Sequence, residues 1–171
     1  MRTITATGLT ITALAVSLSA APAAAADPVG VQATRCQQEW DAVQAPGHRD
    51  GKVRIWQDAF CTNALGHDEN DDRDWGDGTG DIKKATNKVS SVMNNGTLGG
   101  YDVVAFYDYT AYDWRYGYTC LKPGEYYADD LSNNKFSERT VGEHAGKAFS
   151  ANDAISSHKW VTEADCTTFV D

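Results

Sequence analysis

Positive charge is scarce in this chain: 15 Lys and Arg stand against 24 Asp and Glu, a formal net charge of −9. Such a surface repels phosphate backbones, so nucleic-acid binding is not expected. Local signatures of catalysis are missing too. There is no G-x-S-x-G elbow and no H-E-x-x-H, which leaves serine-hydrolase and zinc-protease readings without their motifs. Carboxylates are plentiful, but number alone does not place a glycosidase-like pair, and the expectation is a non-catalytic protein. None of the four cysteines has C-x-x-C spacing and no His stands near one, which argues against structural zinc. Sustained apolar spacing of three and four residues is scarce, and past the N-terminal segment no apolar run could cross a bilayer. A mainly β protein with no membrane partner is expected.

What is present begins with MRTITATGLTITALAVSLSAAPAAAADP. An early charge at Arg2, an apolar run from about Leu9 to Leu18 and the series Ala23 to Ala26 read as a secretory signal peptide over 1–26. The run is too short and too rich in Thr and Ser for a spanning helix. Secretion places Cys36, Cys61, Cys120 and Cys166 in an oxidising compartment, where two disulfides are the default. Three connectivities are open. Shorter loops close more readily, which favours Cys36 with Cys61 and Cys120 with Cys166.

Residues 27–50 form an extension of little periodicity, in which CQQEWDAV could make a short helical turn before APGHRDG breaks it. The organised part spans 51–171. KVRIWQDAF (52–60) and YDVVAFYDY (101–109) carry the β-branched and aromatic texture of strands, as do KVSSVMN from Lys88 and AISSHKWV from Ala154. Asn95-Gly96 and Pro123-Gly124 supply turns between them. Strand, acidic or aromatic loop, polar phrase and strand occur in that order twice, over about 52–97 and 101–166. Two such halves, each a Greek key, would pack as a small sandwich, since neither can bury its apolar face alone.

The repeated phrase is TNKVSS (86–91) and NDAISS (152–157). Amide and carboxylate oxygens, two hydroxyls and backbone carbonyls in one turn suit calcium, which takes six to eight oxygen ligands. The bland reading is a polar β-corner whose Ser and Asn satisfy nearby backbone groups. The acidic run from Asp68 to Asp81 begins like an EF-hand loop. Gly76 falls where a ligand is needed and no Glu closes the frame, so a solvated loop is expected there.

NDAISS resembles the calcium-binding signature of the βγ-crystallin superfamily, and FYDYTAYDW (106–114) resembles the aromatic corner that opens each of its Greek keys, with Trp114 where a glycine is usual. ENDDRDWGDG (69–78), TNKVSSV, CLKPGEYY (120–127) and NDAISSHKW resemble the secreted bacterial peptidase-inhibitor family within that superfamily, whose type member inhibits metalloproteinases. The resemblance covers roughly residues 50–166. It implies an all-β fold of two Greek keys packed as a βγ-crystallin-like sandwich, preceded by an irregular, disulfide-linked extension. It also implies a monomeric, secreted, non-catalytic protease inhibitor that binds Ca2+ weakly, with a Kd on the order of 0.1 to 1 mM. After a leading Asn152, Asp153 would give a side-chain oxygen, Ala154 its carbonyl and Ser156 its hydroxyl, while Ser157 ties the hairpin. The first copy offers Asn87, Lys88, Ser90 and Ser91; with Thr86 leading and an uncharged amide, it should be the weaker site. The segment from Glu125 to Ser150 lengthens the second half and is the candidate presenting loop. The alternatives are a calcium-stabilised extracellular module without a protease target, and a polysaccharide binder using exposed Trp or Tyr. Most of those rings are expected to be buried.

Overall fold

A computed structural model describes residues 29–44 and 49–170, with side chains from Arg35 onward. The signal peptide read over 1–26 lies outside the described residues. The elements are helix α1 (Val29–Gln44) and strands β1 (Lys52–Asp58), β2 (Thr62–Asp68), β3 (Ser91–Asn95), β4 (Val103–Tyr107), β5 (Tyr118–Leu121), β6 (Tyr127–Ala128) and β7 (Ser157–Val161). Four short 3-10 turns punctuate the loops.

The strands form two antiparallel sheets, ordered β2-β1-β3-β6 and β5-β4-β7. In β1 the alternation KVRIWQD sends Val53 and Ile55 to one face and Trp56 to the other, as the two-residue period of a strand requires. The core joins Val53, Ile55 and Val92 of the first sheet to Val104, Phe106 and Leu121 of the second, with Trp75, Ile82, Phe136 and Ile155 from the loops. Both outer faces are covered as well. Cys36 and Trp40 of α1 pack on Trp56, Cys61 and Met93. On the second sheet, Val103, Ala105, Tyr107 and Val161 lie beneath Cys166 and Phe169 of the C-terminal tail. This two-sided cover explains why every residue of β3 and β4 is buried; in β3 that includes Ser91, Asn94 and Asn95, whose side chains are hydrogen-bonded.

Each cover is stapled by a disulfide. Cys36–Cys61 closes 25 residues and holds α1 to the first sheet; Cys120–Cys166 closes 46 and holds the tail to the second. Chain entropy alone makes such loops worth about 3.5 and 4 kcal/mol. The tail also pairs with β5, where Cys120 donates its N–H to Thr168 O and Val170 donates to Cys120 O, both at 2.9 Å.

One expectation needs correction. The extension is not irregular: a sixteen-residue helix occupies Val29–Gln44. Its only large apolar side chains among those described are Cys36, Trp40 and Val43, a stripe too thin to announce a helix; docking on Trp56 and Met93, together with the disulfide, supplies what local propensity lacks. Strand β2, TNALGHD, is an edge strand held by β1, and of its residues only Asp68 is buried.

The two halves exchange segments. Ala128 of β6 pairs with Val92 of β3, and Leu131 donates its N–H to Ser90 O. In the second sheet Asp72 bridges His158 of β7, and Trp75 donates to Ser156 O. The third segment of each half thus completes the sheet of the other.

Candidate functional site

Folding brings the two serine-ended turns face to face. Asn87 donates its N–H to Ile155 O at 2.9 Å, and Asp153 donates to Val89 O at 3.0 Å, a reciprocal exchange between matching positions. Asn87 and Asp153 both adopt the left-handed conformation, with φ 55° and 53°, which Asn and Asp tolerate better than other residues with a Cβ. Val89 and Ile155 anchor the turns in the core. The final serines reach back to the hairpins: Ser91 Oγ donates to Asp58 O at 2.8 Å, and Ser157 Oγ to Tyr109 O at 2.7 Å. Those hairpins match too, because Phe60-Cys61 and Ala111-Tyr112 are both consecutive left-handed pairs.

The side-chain oxygens pair across the phrases. Ser90 Oγ lies 3.5 Å from Asp153 Oδ1, and Ser156 Oγ lies 3.3 Å from Asn87 Oδ1. Each hydroxyl of one turn thus meets the amide or carboxylate oxygen of the other. Asn152 donates to Asp153 Oδ2 at 2.9 Å and orients that carboxylate. Ala154 is half-buried against the core, while Lys88 Nζ turns to Lys84 O at 2.8 Å. The cluster holding Asp153 carries a formal charge. The one holding Asn87 opens on a cleft lined by Asp108, Tyr109, Thr110 and Arg139, where a guanidinium works against a cation. Among the described residues no three His, Cys, Asp or Glu side chains form a metal-binding group; the oxygens gathered here come from hydroxyls, an amide and one carboxylate.

The cleft is walled by two loops that Arg139 locks together. Its guanidinium pairs with Asp108, donates from Nε to Tyr116 O at 3.0 Å and lies 4.2 Å over the Phe149 ring. Burial pushes the Asp108 carboxyl above the usual range, against the pull of Arg139. One loop, 108–117, stacks Tyr109 on Tyr116 with centroids 4.0 Å apart and exposes Trp114. The other runs through the expected presenting segment. Lys135 bridges Ser150, Phe136 donates to Phe149 O, and Arg139 N–H meets Lys147 O. A hairpin with an exposed tip at 142–146 results.

The acidic loop is not the wholly solvated segment expected: Asp68 and Asp72 are 3% and 7% exposed. Beneath it, fully buried His158 uses both ring nitrogens. Nε2 donates to Asn70 O at 2.8 Å, which leaves Nδ1 to accept from Trp75 Nε1 at 2.9 Å. Burial holds its pKa down to about 4, outweighing Asp68 and Asp71 nearby. Of the five Trp, Trp40, Trp56 and Trp75 are buried, Trp160 is half-buried and Trp114 is exposed.

Sequence reasoning took Asp72 only as part of a solvated acidic run and passed over His158 and Arg139. A lone Trp inside an acidic run was the available signal for the first two, since Trp75 must be buried and its N–H needs an acceptor. Arg139 has no signal in its neighbours, because its partners lie in other loops. In comparisons with known proteins, no family model, no curated protein and no solved structure matches this chain.

Proposed function

We propose that this chain is a secreted, non-catalytic inhibitor of an extracellular peptidase, of the metalloproteinase class, built on a βγ-crystallin-type pair of Greek keys. The reciprocal bonding of the two serine-ended turns, Asn87 to Ile155 and Asp153 to Val89, is the observation that carries the reading. Equivalent corners, equivalent hairpin ties and exchanged third segments support reading the two halves as copies of one motif. An inhibitor also needs preordered loops, because ordering them on binding would cost affinity. Loops 108–117 and 135–150, braced by Arg139, accord with that need. Export rests on the leader over 1–26 and accords with the two disulfides. Titrating the mature protein against secreted metalloproteinases and serine proteases tests the reading; stoichiometric loss of activity of one enzyme is expected, and flat residual activity throughout would remove it.

A second reading is favoured by the crossed oxygen pairs: a calcium-stabilised extracellular module with no protease target. A ligand that binds only the native state raises stability by mass action. Calcium should raise the melting temperature of the wild type by more than that of Asp153→Ala. Superimposable calcium and chelator curves for the wild type would end this reading without touching the first.

A further inference from the structure

We propose that Asp68 and Asp72 form a separate binding site for a hard divalent cation of the calcium type, independent of the serine-ended turns. Asp68 closes β2 in the first sheet, and Asp72 bridges His158 in the second. Both carboxylates are buried. One oxygen of each is occupied within its own turn: Asn70 N–H donates to Asp68 Oδ1 at 2.8 Å, and Asp74 N–H donates to Asp72 Oδ1 at 3.0 Å. The other oxygen of Asp72 is sealed from solvent and has no hydrogen-bond partner.

A buried carboxylate oxygen facing nothing is among the costliest arrangements a fold can keep, so native structures fill such positions with a donor, water or an ion. The usual protein donors are absent. Among the described residues neither carboxylate has a Lys or Arg ion-pair partner. His158 cannot serve, since both its nitrogens are committed to Asn70 and Trp75. Instead, negative charge accumulates: burial raises the Asp72 pKa, and Asp68, Asp77 and Asp74 push it the same way.

The free oxygens of the two carboxylates border one small space. A Cβ built on Gly80 would stand 2.8 Å from Asp72 Oδ2 and 3.9 Å from Asp68 Oδ2. Gly80 holds φ +70°, a conformation that favours glycine, and its backbone comes close enough to Asp72 Oδ2 that a side chain there would meet that oxygen. Two carboxylates are within the range that calcium uses, with backbone carbonyls and water completing six to eight ligands. An ion here would join the end of β2 to the segment paired with β7, linking the two sheets through the acidic loop.

Calorimetric titration of calcium into the full mature chain at pH 7.5, with terbium luminescence as a second probe, decides the matter on the wild type, Asp72→Asn, Asp68→Asn and Asp153→Ala. Asp72→Asn keeps the shape and the Oδ1 contact. It should lose one binding event and at least half of the calcium-induced melting shift, and in chelator it should melt above the wild type because a buried charge is gone. Asp68→Asn should show the same loss of binding, which keeps the test open if either variant folds poorly. Unchanged stoichiometry in both Asn variants would overturn the proposal. So would a wild type whose entire calcium response disappears with Asp153→Ala, an outcome that leaves the serine-ended turns as the site. A response lost in Asp72→Asn and kept in Asp153→Ala supports this site and removes the turns.

Discussion

Acidification from pH 7 to 4.5 should destabilise the fold through one residue, His158. In the native state its pKa is held down to about 4 from an ordinary 6.5, chiefly by burial. A proton on Nδ1 would meet the N–H of Trp75 rather than an acceptor, on a ring that is fully buried. As pH falls through about 6.5 the unfolded chain takes up this proton while the native chain does not. The unfolded state therefore holds one proton more, and stability declines by about 1.4 kcal/mol per pH unit until the native imidazole titrates near pH 4. The whole shift corresponds to about 3 kcal/mol, a large part of the margin of a domain this size. Asp72 acts in the opposite sense: its raised pKa means that protonation on acidification relieves strain in the native state. The exposed carboxylates with lowered pKa values, Asp77, Asp113 and Asp165, lose their contribution only below about pH 3.8, outside this interval. Urea unfolding followed by Trp fluorescence at half-unit steps, in chelator, measures the slope for the wild type, His158→Gln and Asp72→Asn. His158→Gln should be less stable at pH 7 but should show no decline down to 4.5, because the raised Asp72 and Asp108 act in the opposite sense, and Asp72→Asn should steepen the wild-type decline. A wild type with no slope across this interval, or a His158→Gln that keeps the wild-type slope, refutes the reasoning.

Three further outcomes follow from the same geometry. Arg139→Ala strands the half-buried Asp108 carboxylate and should cost about 3 kcal/mol in urea unfolding, with faster amide exchange in both 108–117 and 135–150. If only 135–150 loosens, the lock between the loops is not real. Replacing Cys120 and Cys166 by Ser should cost about 4 kcal/mol, slightly more than the Cys36 and Cys61 pair, because the closed loop is longer; the order of the two denaturation midpoints checks it. Asn87→Asp adds a charge beside Ser156 Oγ, so calcium affinity measured by calorimetry should rise severalfold, and a fall would mean that Arg139 and Asp108 already dominate that cleft.

Several features were legible because they are local. β-branched and aromatic runs at 52–60 and 101–109 mark strands wherever they sit, and the repeated phrase marks two equivalent turns because Asn and Asp accept the left-handed backbone that Asn87 and Asp153 adopt. Disulfides were expected from cysteine count and export, and their loop lengths already favoured the pairing found. Helix α1 was legible only as a short turn over CQQEWDAV, since the partners that stabilise its full length, Trp56 and Met93, belong to strands distant in sequence. Strand β6, only two residues long and held by β3, was not legible.

By itself, then, the sequence determined a β-rich chain, its turn chemistry and which oxygen-bearing residues repeat. Which oxygens meet was decided only by the tertiary structure. Pairing across the two halves sets Ser90 against Asp153 and Ser156 against Asn87, buries Asp72 beside Asp68, and closes His158 between Trp75 and Asn70. The physical reason is that hydrogen bonds and desolvation act over a few ångströms in space, whereas these partners are separated by long stretches of chain, and nothing in the neighbours of one names the other.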